Sequence, residues 1–121
     1  MSELKIIMNK QLELQKDLGF DVEDMALLQK AKYIKENILW ANNELNEMLH
    51  EIPFAKDWSK KYYSWDKEKV EEQLRLSKEE YIDAFHFFIN IALALGISPK
   101  EILEMYLEKN EINIERQKNG Y

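Results

Sequence analysis

The chain has 121 residues and a net charge of −6, with 45% hydrophobic and 33% charged residues. This length suits one core, and the composition is that of an ordinary soluble protein. The negative charge argues against nonspecific binding to nucleic acid or to an anionic membrane. The absence of cysteine excludes disulfides and thiolate metal sites. The longest apolar stretch, residues 84–97, is too short to span a bilayer. We therefore expect a single domain over residues 1–121, a cytoplasmic location, and no nucleic-acid or membrane partner.

The first half of the chain predicts two helices. Apolar residues recur at helical spacing from Leu4 to Leu18, and Gly19 is a plausible end for this helix. A longer helix is predicted from Glu23 to Glu51, because Pro53 cannot continue it. Its predicted apolar face consists of Leu27, Leu28, Ala31, Ile34, Ile38, Ala41, Leu45 and Met48.

The second half begins with an irregular, aromatic and basic segment from Pro53 to Asp66. A short helix is predicted around residues 67–74, and Ser77 is predicted to open a third long helix with Glu80 in capping-box spacing. That helix should end at Gly96. The run Ser98-Pro99-Lys100-Glu101 predicts the start of a last helix, from Pro99 to about Gln117. With only three glycines and two prolines in the chain, we expect an all-α fold, a bundle of four to five helices.

Two acidic pairs stand out in these helices. Glu44 and Glu47 are three residues apart, as are Glu80 and Asp83, so each pair occupies one patch of a helix surface. Asp83 lies in an apolar helix, where a buried aspartate needs a partner. A fold that joins the two patches implies a compensating cation, and oxygen ligands suit Mg²⁺ or Mn²⁺. The plainer alternatives are that the first pair faces solvent and that Glu80 only completes the Ser77 cap.

Other polar residues share faces with these acids. His86 and Asn90 continue the stripe of Asp83 along the third helix, which is otherwise apolar nearly all round and is therefore predicted to be central. Either side chain is also compatible with an ordinary hydrogen-bonded place in the core. The aromatic residues of the irregular segment, Phe54, Trp58, Tyr62, Tyr63 and Trp65, either cover one end of the bundle or form part of a nucleobase pocket.

A basic face follows on the last helix. Lys109, Asn113 and Arg116 lie on one side of it by their spacing. Basic residues near a helix C-terminus are favoured by the helix dipole alone. The functional alternative is a phosphate clamp, because Lys and Arg complement phosphate oxygens.

The two acidic motifs, Glu44-Leu45-Asn46-Glu47 and Glu80-Tyr81-Ile82-Asp83, resemble the ExxE…ExxD signature of the all-α nucleoside triphosphate pyrophosphatases, the MazG-like superfamily. The dimeric dUTP diphosphatase branch of that superfamily is the most similar. The further segments that resemble this branch are Leu14-Gln15-Lys16-Asp17-Leu18, Lys56-Asp57-Trp58, Asp83-Ala84-Phe85-His86-Phe87, Leu95-Gly96-Ile97-Ser98 and the C-terminal Tyr106…Lys109-Asn110…Asn113…Arg116-Gln117…Gly120-Tyr121.

The resemblance implies a homodimer that hydrolyses dUTP, and dUDP as a further substrate, to release dUMP. It implies that Mg²⁺, or Mn²⁺, is coordinated by Glu44, Glu47, Glu80 and Asp83, with Glu44 activating the attacking water. It also implies a phosphate site at Lys109, Asn113 and Arg116, and a base and deoxyribose pocket at Gln15, Trp58, His86 and Asn90. Two alternatives stay open: a MazG-like enzyme for another or a noncanonical nucleotide, and a helical interaction module without catalysis.

Overall fold

The computed structural model of the chain describes residues 2–53 and 56–120, and within these ranges it contains helices and no strand. The four α-helices are α1 (Glu3–Asp17), α2 (Leu27–Glu51), α3 (Lys67–Leu95) and α4 (Pro99–Lys118). Short 3₁₀ helices occupy Val22–Asp24 and Lys61–Ser64. The predicted all-α class is therefore confirmed. Phe54 and Tyr121, which the sequence analysis assigned to functional segments, lie outside the described residues.

The predicted boundary between the last two helices is confirmed. α3 ends at Leu95, and Gly96 follows with a φ of 71°, a left-handed conformation that favours glycine. Ser98 accepts a hydrogen bond from the Glu101 amide at 3.1 Å, and Pro99 takes the first helical position. α4 is bent away from α3 by 102°.

The start of α3 differs from the prediction. One continuous helix replaces the short helix around residues 67–74 and the new start at Ser77. Asp66 is the N-cap, whereas Ser77 is buried within the helix and its hydroxyl donates to the Gln73 carbonyl at 2.9 Å. A short hydroxyl side chain is compatible with both positions, because it can bond either a free amide or the preceding turn. Glu80 is therefore not a capping partner.

The buried face of α2 also differs from the prediction. The helix begins at Leu27, and its first two residues, Leu27 and Leu28, are 84% and 88% exposed. The buried residues of α2 are Tyr33, Asn37 and Ala41, of which only Ala41 belonged to the predicted face. These residues follow one another at four-residue spacing, in a stripe centred roughly 80° from the predicted apolar face. Contact with α3, rather than the distribution of apolar residues alone, sets which face is buried.

α2 and α3 form the central antiparallel pair. Asn37 contacts Asn90 at 2.9 Å, and further along the pair Glu44 lies beside Glu80. The partners run in opposite order along the two helices: Asn37 precedes Glu44 in α2, whereas Asn90 follows Glu80 in α3. This order shows that the two helices are antiparallel. α1 packs against α3, with the Gln11 amide 2.8 Å from Asn90. A small core lies at the end of this pair that is remote from Glu44 and Glu80. Its buried residues are Val22, Tyr33 and Ala94, and the residues packed around them are Leu12, Met25, Ile34 and Leu93.

Much of the apolar surface of α3 stays exposed in the single chain. Tyr81, Ile82 and Phe88 are each about half exposed, although α3 packs against both α1 and α2 and so has the central place predicted for it. Ile82 lines two apolar grooves: one of about 460 Å³ beside α1, and one of about 610 Å³ beside the end of α2. Among the described residues, no single helix has the length and apolarity needed to cross a membrane; α3 and α4 meet those criteria only as a bent pair.

Candidate functional site

Three acidic side chains meet where α2 and α3 cross. Carboxylate oxygens of Glu44, Glu47 and Glu80 all lie within 4.8 Å of one another. The three-residue spacing puts Glu44 and Glu47 on one patch of α2, and the antiparallel packing brings Glu80 of α3 against that patch. Glu44 and Glu80 are half-buried, whereas Glu47 is exposed. We call these three residues the carboxylate cluster.

Asp83 lies beside the carboxylate cluster and not within it. Its charge raises the pKa of both Glu44 and Glu80, which places it near them. The side chain is exposed, so the expectation of a buried aspartate is wrong. Asp83 follows Glu80 by three residues on α3.

The electrostatics of the carboxylate cluster favour a bound proton or cation. Burial first, and then the neighbouring charge of Glu47, raise the pKa of Glu44 to about 7. Burial likewise raises the pKa of Glu80. One Glu80 oxygen, Oε2, is shielded from solvent and accepts no hydrogen bond. A buried oxygen of this kind is costly unless a partner is supplied, and a hard divalent cation is a partner that carboxylate oxygens bind.

A groove of about 360 Å³ opens beside the carboxylate cluster. Glu44 and Asp83 line it together with Gln15, His86 and Asn90. Three of the four residues assigned to the base and deoxyribose pocket thus share one cavity with two of the four assigned to metal. We call this cavity the acid-amide groove.

Trp58, the fourth residue assigned to that pocket, is in a different place. It is 80% exposed and does not line the acid-amide groove as the described residues form it. The surrounding segment packs on itself, with the rings of Tyr62 and Trp65 in an edge-on contact at 4.9 Å. Of the two alternatives for the aromatic segment, the described residues give no support to a nucleobase pocket within one chain.

The basic residues of α4 are also separated from the carboxylate cluster. Lys109, Asn113 and Arg116 are exposed on α4. α4 starts beyond Leu95, about 18 Å along the α3 axis from Asp83, and it bends away from α3 by 102°. The described chain therefore does not place these three side chains next to the acids.

A buried polar network that was not predicted from the sequence borders the groove. Tyr33 donates its hydroxyl to Gln15 at 2.7 Å, and Asn37 donates to the Tyr33 carbonyl at 2.8 Å. Gln11 donates to Asn90 at 2.8 Å. One sequence signal was available: Gln11 and Gln15 are four residues apart, which puts two amides on one face of α1. Tyr33 gave no such signal, because its role depends on tertiary contact with α1.

Comparisons with known proteins identify relatives of this chain. A family described as dUTPase matches residues 6–101 and 76–121. The chain is 44% identical over 71 residues to a dCTP pyrophosphatase of Enterobacteria phage LZ5, which covers 54% of this chain and 41% of that protein. It is 38% identical over 71 residues to a dCTP pyrophosphatase of Enterobacteria phage T4, with the same two shares, 54% and 41%. The match thus spans less than half of the length of these relatives. No solved structure matches.

The raised pKa of Glu44 predicts how stability depends on pH in metal-free buffer. Its pKa of about 7 in the folded protein exceeds the ordinary 4.5. The folded state therefore keeps a proton that the unfolded chain releases, and the associated stability is lost as pH rises from 4.5 to about 7. We expect the melting temperature of the wild-type protein to fall across this interval more steeply than that of Glu44→Gln.

Circular dichroism melts in the presence of a chelator measure this difference. Glu79→Gln is the matched control, because Glu79 is exposed on α3 and outside the carboxylate cluster; its pH profile should follow the wild type. Parallel profiles for Glu44→Gln and the wild type would contradict the assignment.

Proposed function

Since the chain belongs to the dUTPase family, we propose that it is a nucleoside triphosphate pyrophosphohydrolase whose substrate is dUTP. The reaction adds water across the bond between the α- and β-phosphates and yields dUMP and pyrophosphate; dUDP is a further substrate by the same chemistry. The observation that carries the proposal is the meeting of the Glu44, Glu47 and Glu80 carboxylates beside a groove lined by amides. The carboxylates, through bound cations, suit a triphosphate, and the amides suit the hydrogen-bonding groups of a base.

Mg²⁺, or Mn²⁺ in its place, is the proposed cofactor. The donor set fits: it consists of carboxylate oxygens, it includes the unpartnered Oε2 of Glu80, and the chain has no cysteine to favour a softer metal. Glu44, Glu47, Glu80 and Asp83 would hold the ions. When bound, such ions neutralise phosphate charge and lower the pKa of a coordinated water.

Glu44 is the proposed base. It is half-buried at the edge of the groove, where its carboxylate can orient the attacking water. The water oxygen forms a bond to phosphorus, the bridging phosphoanhydride bond breaks, and pyrophosphate departs with the electron pair. Glu44 takes the water proton. Positioning and electrostatic stabilisation contribute most of the acceleration in reactions of this type.

The phosphate and base contacts are assigned by family resemblance and by position. Gln15, His86 and Asn90 would surround the base and deoxyribose, which their place in the acid-amide groove supports. Trp58 is retained as a base contact by resemblance alone. Lys109, Asn113 and Arg116 are assigned to the phosphates by resemblance alone, because the single chain does not place them next to the acids.

We further propose that the protein is a homodimer of the MazG-like type. The single chain leaves Tyr81, Ile82 and Phe88 exposed on its central helix. A second copy of the chain would bury this apolar surface. Light scattering should give a mass of twice 14.6 kDa. A monomer at micromolar concentration would exclude the dimer.

A nucleotide panel tests the substrate. Pyrophosphate release in the presence of Mg²⁺ should be fastest with dUTP. The dCTP pyrophosphatase relatives make dCTP the most informative competitor, and a preference for dCTP or for a noncanonical nucleotide would favour the broader alternative. Hydrolysis of no nucleotide, together with no rise in melting temperature on adding Mg²⁺, would favour the interaction module.

Glu44→Gln tests the catalytic role. Because glutamine keeps the size of the side chain and cannot accept the water proton, we expect kcat to fall by roughly 10² or more. The control is again Glu79→Gln, which should keep wild-type kcat. Wild-type turnover by the Glu44 variant would remove this residue from the mechanism.

Arg116→Ala tests the phosphate contact. Loss of a charged hydrogen bond to a phosphate should raise KM for dUTP roughly ten-fold or more, with a smaller change in kcat. Lys118→Ala serves as control, since Lys118 lies on the same helix and is paired with Glu115 at 4.0 Å. An unchanged KM for the Arg116 variant would refute the clamp.

A further inference from the structure

Three buried amides form a hydrogen-bonded bridge across α1, α2 and α3. The Asn90 amide nitrogen donates to the Asn37 oxygen at 2.9 Å, and the Gln11 amide nitrogen donates to the Asn90 oxygen at 2.8 Å. Asn37 in turn donates to the Tyr33 carbonyl, one turn earlier on α2, at 2.8 Å. Asn37, Asn90 and Gln11 are 5%, 3% and 6% exposed. Both polar atoms of Asn37 and of Asn90 are therefore bonded within the protein.

The rest of the contact between α2 and α3 does little to fix how far one helix is displaced along the other. Between the amides and the carboxylates, the buried residues are Ala41 on α2 and Ala84 and Ile89 on α3, and Ile89 lines the groove beside α1. Packed helices interlock through ridges and grooves of side chains, to which an alanine contributes little. Residues 52–66 connect the two helices, a length that permits a displacement by one helical turn, about 5.4 Å.

The carboxylate cluster opposes the register that the two helices adopt. Oxygens of Glu44, Glu47 and Glu80 lie within 4.8 Å of one another, and like charges at such distances repel. Without a bound cation, a displacement of α2 along α3 would relieve this repulsion. The hydrogen bond between Asn37 and Asn90 resists the displacement, because breaking it would leave buried amide groups without partners. A buried asparagine sets the register of paired helices in the same way in coiled coils.

The spacing of residues along the two antiparallel helices couples the amides to the acids. Glu44 follows Asn37 by seven residues on α2. Asp83 precedes Asn90 by seven residues on α3. The hydrogen bond between the two amides therefore brings Glu44 opposite Asp83 and beside Glu80. Seven helical residues span about 10 Å, so these amides do not touch a cation held by the carboxylates, and their effect passes through the two helices.

We propose that Asn37 and Asn90 are positioning residues of the metal site: their hydrogen bond holds α2 and α3 in the one register in which the carboxylate cluster can bind a cation. The inference rests on the proposed binding of Mg²⁺ and deepens it. It makes metal affinity depend on two side chains about 10 Å from the acids. By linkage, it also makes the register of the helices depend on the metal.

Asn37→Leu tests the effect on metal affinity. Leucine keeps the approximate size of the side chain and removes its hydrogen bonds, and Asn37 does not line the acid-amide groove. We expect the Kd for Mg²⁺, measured by isothermal titration calorimetry without nucleotide, to rise roughly ten-fold or more. Ser77→Ala is the matched control, because Ser77 is 3% exposed and its hydroxyl donates only within its own helix, to Gln73. The Kd of this control should equal that of the wild type.

Spin-label distances measure the register directly. The chain has no cysteine, so Lys32→Cys and Glu79→Cys introduce specific label sites at exposed positions of α2 and α3. The two sites lie about 24 Å apart along the helix axes, and a displacement by one turn changes this separation by about 5 Å. Labelled chains are mixed with excess unlabelled protein, so that each measured pair lies within one chain. In double electron–electron resonance, we expect one distance without the leucine substitution. Asn37→Leu should add a second distance, which saturating Mg²⁺ converts back to the first.

Asn37→Leu/Asn90→Leu provides a second, independent variant. The single substitution leaves the Asn90 amide nitrogen without its partner, which by itself lowers stability. Replacing both members with apolar side chains of similar size removes this penalty. We expect a melting temperature at or above that of Asn37→Leu, together with Mg²⁺ binding that is still weaker than in the wild type. If the amides served stability alone, metal affinity would recover together with the melting temperature.

The outcomes are separable. Weaker Mg²⁺ binding, together with a displaced distance that Mg²⁺ reverses, supports the inference. Wild-type affinity and wild-type distance in both variants overturn it, and so does weaker binding at an unchanged distance. Wild-type protein that binds no Mg²⁺ would overturn the proposed cofactor, and the inference with it, a result recognised before any variant is compared.

Discussion

The packing of α2 against α3 brings three carboxylates together, so it depends on how their mutual repulsion is offset. Carboxylate oxygens of Glu44, Glu47 and Glu80 lie within 4.8 Å of one another. Folding concentrates negative charge that the unfolded chain would disperse, and the two helices need a proton or a cation to offset it. The raised pKa of Glu44 and the unpartnered oxygen of Glu80 are two consequences of this one constraint. A site that stabilises the fold best when it holds positive charge is suited to binding a metal ion. The bound metal ion can in turn attract phosphate.

The same helix pair sets the distance between the acids and the amides. Asn37 precedes Glu44 by seven residues on α2, and Asn90 follows Asp83 by seven residues on α3. Because the helices are antiparallel, both amides lie about 10 Å from the acids in the same direction. A nucleotide with its phosphates at the carboxylates would therefore extend its base toward the amides. One crossing of two helices thus organises both halves of the groove.

Local features of this fold were predictable, and features that depend on tertiary contact were not. The acidic pairs follow from three-residue spacing, and the start of α4 follows from Ser98 and Pro99, because each involves neighbours in sequence. Ser77 was misread as a cap because its side chain suits a helix start and a helix interior equally. Tyr33 was overlooked, since its contact with Gln15 exists only after α1 packs. The wide exposure of α3 likewise depends on neighbours that a single sequence does not supply.

The central claim is that the carboxylate cluster binds divalent cations, and anomalous X-ray diffraction from crystals containing Mn²⁺ tests it most directly. We predict that the strongest anomalous peak lies within coordination distance of the Glu44, Glu47 and Glu80 carboxylates, with Asp83 turned toward it. Saturating Mn²⁺ that gives no peak between α2 and α3, or places its strongest peak elsewhere on the chain, would contradict the account.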